Sequence, residues 1–221
     1  MSFYCIFVSH IKIQIMIDNI ELIKPLLNFN EKGDFYMLYV FKRKKDQPEG
    51  EKDNHQSVRT IKTYCVESLE YLDKRYDEIK QLCEMFKARA YIHVQKQNHK
   101  DVSLEMMMAL AQKIRDGQHK QQGLFESVVG QIKTHEKRWI VDVDTMDENV
   151  IVKMTKIINL INPQHEGGKI EAIVPTKNGY HFITKKFDVM EFQKIMKLQG
   201  DVPSIQKKNP TLLYYPNSLT L

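Results

Sequence analysis

Apolar and polar positions alternate along this chain in a way that separates strands from helices. Phe35 to Arg43 (FYMLYVFKR) is dense in aromatic and β-branched residues and predicts a strand. Arg59 to Val66 (RTIKTYCV) alternates and predicts a second, pairing with the first in a hairpin across the charged loop Lys44 to Gln56, which holds Pro48 and Gly50. Ser68 then caps a long helix to Phe86, where Leu69, Leu72, Tyr76, Ile79, Leu82, Cys83 and Phe86 recur at helical spacing. Ala88 to Val94 predicts a strand. Val102 to Asp116 predicts a helix with Leu104, Met107, Met108, Ala111 and Ile114 on one face, and its consecutive methionines are read as core filling. After a polar break at Gly117 to Gly123, Leu124 to Ile132 predicts another helix.

The second half repeats the alternation of element types. Trp139 to Asp142 predicts a buried strand, and Asp147 to Ile161 a helix with Val150, Val152, Ile157, Leu160 and Ile161 at its apolar positions. Lys169 to Val174 and Tyr180 to Thr184 predict two strands joined through Asn178-Gly179, a dipeptide with hairpin turn chemistry. A short helix at Asp188 to Met196 and a last strand at Leu212 to Tyr215 follow. Near the amino terminus, Ile11 to Ile17 alternates like a strand, and Ile17 to Leu27 predicts a short helix with Asp18 as cap and Pro25 near its end. The expected fold class is α/β (α+β): one mixed sheet flanked by helices. Residues 1–34 form an extension with a short helix, 35–134 an amino-terminal αβ unit, and 135–221 a second αβ unit, all within one compact domain.

Composition narrows the setting. The chain has 221 residues, 42% of them hydrophobic and 28% charged, enough for a sizeable core. A formal charge of +5 is a mild basic excess, compatible with nucleotide or nucleic-acid partners. Cys5, Cys65 and Cys83 are scattered, without metal-type spacing, which points to a reduced, cytoplasmic protein. The apolar stretch Phe3 to Ile17 is interrupted by His10, Lys12 and Gln14, too short and polar to span a membrane and poor as a signal peptide. Met16 is a second candidate start.

Two stretches carry chemistry. Asp142 and Asp144 end the apolar strand that begins at Trp139, and side-chain alternation puts both on one face. Adjacent carboxylates raise each other's pKa unless a cation neutralises them, and a hard divalent ion such as Mg²⁺ or Mn²⁺ does so. The same pattern also serves as turn or cap chemistry at a strand end. The second stretch is Thr176, Lys177, Asn178 and Gly179, followed by His181. A hydroxyl, an ammonium, turn N–H groups and an imidazole there suit a phosphate, although a lone histidine beside a hairpin turn is also ordinary surface.

Together the two stretches resemble the archaeo-eukaryotic primase superfamily, including the primase-polymerases of phages and mobile elements. Ile140-Val-Asp-Val-Asp144 matches its apolar strand ending in Asp-x-Asp, and Gly179-Tyr180-His181 matches its second motif, a small residue, any residue, then histidine. The resemblance covers chiefly residues 135–215 and implies an RRM-like catalytic half. It further implies nucleotidyl transfer in DNA replication or repair, with Asp142 and Asp144 holding Mg²⁺ or Mn²⁺ and His181 contacting the phosphates of a nucleoside triphosphate. The family's third motif is an acid on a later strand. Here Asp188 and Glu191 stand at a helix start, Asp201 in Gly-Asp-Val-Pro is the best-placed third metal ligand, and Ser204 stands where an acid would fit better. Arg89, Lys185, Lys186, Lys207 and Lys208 are candidate contacts to a DNA or RNA template.

Two other readings compete. The weak third acid favours a non-catalytic nucleic-acid or protein-binding module on the same fold. Asp-Val-Asp-Thr also resembles the nucleophile motif of haloacid-dehalogenase phosphatases, but that family needs a substantial α/β domain downstream and a further acidic pair. No P-loop, dinucleotide fingerprint, H-E-x-x-H or G-x-S-x-G occurs, which disfavours kinases, dehydrogenases, zinc proteases and serine hydrolases.

Overall fold

The computed structural model describes residues 16–43, 58–134, 136–200 and 202–216. Outside them lie the expected loop at 44–56, most of the amino-terminal apolar stretch, and Asp201. In chain order the elements are β1 (Ile17–Asp18), α1 (Ile20–Ile23) with a 3-10 turn (Lys24–Leu26), β2 (Asp34–Arg43), β3 (Val58–Val66), α2 (Leu69–Phe86), β4 (Arg89–Ile92), β5 (Gln97–Asn98), α3 (His99–Arg115) and α4 (Leu124–Gln131). Then come β6 (Trp139–Val143), α5 (Glu148–Leu160), β7 (Ile170–Pro175), β8 (Tyr180–Thr184), α6 (Val189–Lys197), β9 (Ser204–Gln206) and β10 (Thr211–Tyr215).

The strands form two antiparallel sheets, so the protein is α+β and the expected single mixed sheet is corrected. The larger runs β1-β10-β4-β2-β3 with β5 also on β2, and the smaller runs β7-β8-β6-β9. Hydrophobic periodicity sets which residues share a face but is silent on strand direction and on which strands become neighbours. The β2–β3 hairpin forms as expected, with Tyr36 opposite Val66. Strand β10 leaves the smaller sheet's stretch of chain and pairs with β4 and β1 in the larger one. Among the described residues no helix is long and apolar enough to cross a membrane.

Local chemistry explains the elements that frame the site. Ser68 accepts a hydrogen bond from the Tyr71 N–H at 3.0 Å and starts α2. Leu72, Tyr76, Ile79 and Cys83 of that helix are buried on the larger sheet, and Lys87 ends it in the left-handed conformation, φ 49°. Pro25 cuts the expected helix at Ile17 to Leu27 down to α1 and its 3-10 turn. Asp18 does accept from the Ile20 N–H, at 3.2 Å. Asp147 and Asp188 cap α5 and α6 through the N–H groups two residues on.

Two helix faces differ from expectation. On α3 the packed side is Val102, Met106, Ala109 and Leu110, whereas Leu104, Met107, Met108 and Ile114 are exposed, Met107 by 69%. The helix carries apolar residues at helical spacing on both sides, so periodicity cannot select between them. On α5 the buried face is Met154, Ile157 and Ile158, with Ile161 just beyond it, while Val152 and Leu160 face outward.

The two sheets share a core. Ile140 of β6, Val174 of β7 and Ile183 of β8 join the cluster built on β2, β4, α1 and α2. The opposite face of the smaller sheet, with Val141, Val143 and Phe182, packs on α5 and α6. Arg138, just before β6, ties the junction by donating to the backbone carbonyls of Leu26 at 2.8 Å and Val94 at 3.1 Å.

The α2 caps are separable in solution. Ser68→Ala should lower unfolding stability by about 1 kcal/mol, and Lys87→Gly should raise it by about 0.5–1 kcal/mol by relieving the left-handed side chain, both read from urea titrations. A third test concerns His93, half-buried beside Tyr39 (ring centroids 5.6 Å apart). Burial pushes its pKa down to about 4, against about 6.5 unfolded. Its neutral form therefore contributes stability that is fully present above about pH 6.5 and is lost as the pH falls towards 4, by about 3 kcal/mol at most. His93→Gln should flatten that part of the stability–pH profile.

Candidate functional site

Along β6 one face passes from Ile140, buried in the shared core, to half-buried Asp142 and then to exposed Asp144 just past the strand end. On the neighbouring strands His181 lies directly opposite Asp142 on one side and Ser204 on the other. Antiparallel pairing therefore brings together residues that the sequence separates widely. Asp142, Asp144, Thr176, Lys177, Asn178 and His181 all line one cavity of about 200 Å³. The larger sheet closes its other side with Arg43 of β2, Arg89 and Tyr91 of β4, and Leu212 of β10.

The buried His181 ring spans the site. Its Nδ1 lies 3.0 Å from Thr211 Oγ1 and its Nε2 3.4 Å from Asp142 Oδ1. As a neutral imidazole with Nε2–H facing Asp142, it accepts at Nδ1 from the Thr211 hydroxyl; protonated, it donates at both nitrogens. Gln206 donates to the other Asp142 oxygen at 2.9 Å. The hydrogen bond from His181, aided by the His181 and Arg43 charges and by Gln206, holds the Asp142 carboxyl below its usual range against desolvation. It stays ionised across the neutral and mildly acidic range.

The cations are held by aromatic rings. The Arg43 guanidinium lies 5.3 Å from the Tyr91 ring centroid, and the Arg89 guanidinium and Lys177 ammonium lie 4.6 and 5.4 Å from that of Tyr215. Three cations thus face two carboxylates and an imidazole, a balance suited to an anion that arrives with a divalent cation.

Gly179 fixes the turn, but not for the reason its Asn-Gly dipeptide suggests. The Thr176 N–H donates to the Gly179 carbonyl at 2.7 Å, so Lys177 and Asn178 are the central residues. Gly179 is not among the residues of positive φ. Its role is close approach: a Cβ there would stand 1.9 Å from the Val143 carbonyl oxygen and 2.6 Å from the Thr145 nitrogen. The missing side chain lets the turn lie on the end of β6. Asn19 holds the same turn from the other side. Its buried amide donates to the carbonyls of Pro175 and Leu212, each at 2.9 Å.

Other expected residues are elsewhere. Asp201 lies outside the described residues, Asp188 caps α6, and Glu191 accepts from the Asn162 N–H at 3.2 Å. Among the described residues no three His, Cys, Asp or Glu side chains gather to hold a metal. Arg89 reaches the cavity, whereas Lys185 reaches towards the Gly168 carbonyl, and Lys186, Lys207 and Lys208 line a different one. Arg43, Tyr91, Thr211, Gln206 and Asn19 escaped sequence reasoning. Each is an ordinary polar or aromatic residue whose place depends on long-range strand pairing or inter-sheet packing.

No family model, curated protein or solved structure matches the chain.

Gly179→Ala provides a direct test of the close approach. The added methyl forces the turn off β6, so stability should fall by about 3 kcal/mol or more, measured by urea unfolding, and the Asp142–His181 pairing should loosen. A variant as stable as wild type would show that the turn does not need the contact.

Proposed function

We propose that the protein is a primase-polymerase-like nucleotidyltransferase whose inter-sheet cavity takes a nucleoside triphosphate together with Mg²⁺ or Mn²⁺. The observation that carries this reading is the convergence in one cavity of the Asp142/Asp144 pair, His181 and the Thr176–Asn178 turn, with Arg43 and Arg89 opposite. The smaller sheet, with α5 and α6 on one face, is the counterpart of the family's RRM-like catalytic half.

The donor set decides how a metal fits. Among the described residues the cavity holds two carboxylates, Asp142 and Asp144, a donor set that would suit a hard divalent ion also bound by phosphate oxygens and water. The ion would therefore arrive with the triphosphate, held by Asp142 and Asp144. Bound there, such an ion would supply charge neutralisation and Lewis acidity towards an attacking hydroxyl. The chain's own groups do the rest: Lys177, Arg43 and Arg89 balance phosphate charge, the Thr176–Gly179 turn offers hydroxyl and N–H donors, and His181, held between Thr211 and Asp142, keeps the carboxylate ionised and in place.

Ser204 and Gln206, rather than an acid, flank Asp142 on β9. This favours a second reading, a nucleotide- or nucleic-acid-binding module that has lost catalysis. The phosphatase resemblance finds less support. The downstream strands that pair with β6, β8 and β9, both run antiparallel to it.

Thermal denaturation separates the readings. Mn²⁺ alone should leave Tm nearly unchanged, whereas Mn²⁺ with a nucleoside triphosphate should raise it by several degrees through mass action. Asp142→Asn and Asp144→Asn should each abolish the metal-dependent part, and His181→Ala should weaken it about tenfold in apparent affinity. Binding together with template-directed nucleotide incorporation supports the enzyme; binding without incorporation supports the module. Undiminished metal-dependent binding by Asp142→Asn would overturn the site assignment.

A further inference from the structure

The smaller sheet has a second charged end. Because β6 runs antiparallel to both β8 and β9, the start of β6 lies beside the ends of the other two. There Lys133 and Lys137 from the approach to β6, Lys186 after β8, and Lys207 and Lys208 after β9 line a cavity of about 370 Å³ with Trp139. Among the described residues no acid contributes to its lining and no carboxylate pairs with any of the five lysines. Five lysines that line one cavity, with no carboxylate in its described lining, repel one another and create a field that an extended anion relieves.

The walls are fixed by hydrogen bonds. Gln95 donates to the carbonyls of Arg138, at 2.8 Å, and Lys207, and accepts from the Thr134 hydroxyl, so one side chain stitches both approaches together. Lys208 donates to the carbonyls of Gly130 and Gln131 at the end of α4. Trp139 is anchored edge-on to Phe187, ring centroids 5.5 Å apart, and Lys207 lies 4.9 Å from the indole centroid. The indole is only partly buried.

We propose that this cavity is a binding site for single-stranded nucleic acid. Lysines drawn from three strand ends follow a phosphate backbone, and the indole offers a base a stacking surface in place of the Lys207 ammonium. This combination of cationic track and aromatic platform suits single strands, which have free base faces, better than duplex. The site is separate from the acid cavity. Trp139 and Asp142 stand about 10 Å apart along β6 and on opposite faces. It does not depend on the nucleotidyltransferase reading.

Trp139 is the chain's one tryptophan, so its fluorescence reports on this site alone. The full chain is titrated with a fluorescein-labelled oligothymidylate, following both anisotropy and tryptophan emission. Saturable quenching should accompany binding, with log affinity falling against log salt at a slope of about 0.7 per phosphate engaged. The variant Lys133→Glu/Lys137→Glu/Lys186→Glu spares the structural Lys208, Gln95 and Trp139. It should bind at least about tenfold more weakly with a slope lower by about 2. The neutral glutamine version should fall between, and both should keep the wild-type Tm. Asp142→Asn/Asp144→Asn should bind the strand as wild type does.

Binding without any change in tryptophan emission, or undiminished in either lysine variant, would place the strand elsewhere and overturn the proposal. No binding by the wild type would also overturn it. Equal displacement by polyglutamate or inorganic pyrophosphate would reduce the site to a general polyanion trap and overturn the nucleic-acid assignment.

Discussion

The site depends on one packing constraint: the smaller sheet buries only part of one face against the larger sheet. Ile140, Val174 and Ile183 fill the shared core, and each aliphatic side chain so buried contributes roughly 1.5–3 kcal/mol. One step along the strands the same face carries Asp142 and His181, which cannot continue an apolar contact without partners. Thr211, Gln206 and the Asp142–His181 pair supply them. The sheets part where this network begins, and the opening between them is the cavity. Its position follows from where the hydrophobic residues end.

The charge balance in that opening is set from both sides. The larger sheet supplies Arg43 and Arg89, whose guanidinium groups lie over the Tyr91 and Tyr215 rings. The smaller sheet supplies both acids and, through the turn at Thr176–Gly179, Lys177. Gly179 and Asn19 control the distance between these groups, one by permitting backbone contact with β6 and the other by tying Pro175 to Leu212. Neither residue is itself chemically reactive. Both are positioning residues, and their effect on the site acts through geometry.

This division explains what could be read from the chain. Strands ending at Arg43, Val66 and Thr184 and the helix at Leu69–Phe86 were legible because each carries its own periodicity and caps. Asp142, Asp144, Lys177 and His181 were legible as chemistry because they sit at strand ends with special neighbours. Three things were hidden. The short β9 has no apolar run, so Ser204 and Gln206 did not reveal that they flank Asp142. The outward face of α3 is as apolar as its packed face. The return of β10 to the larger sheet, which delivers Thr211 to His181, is a long-range pairing that no local pattern specifies.

The two ends of the smaller sheet make opposite electrostatic statements. At the Asp142 end carboxylates are interleaved with cations, so an approaching phosphate meets repulsion as well as attraction, and a divalent ion shared between carboxylate and phosphate removes the conflict. At the Trp139 end the described charged residues that line the cavity are all lysines, and a phosphate needs no metal there. On the two proposals made above, binding at the first end should be governed by divalent-metal concentration and at the second by monovalent salt, through counterion release. A four-stranded antiparallel sheet produces this polarity economically, because every strand contributes its beginning to one end and its finish to the other. The same β6 that presents Asp142 to the inter-sheet cavity thus anchors, by its first residue, the indole of the lysine-lined one.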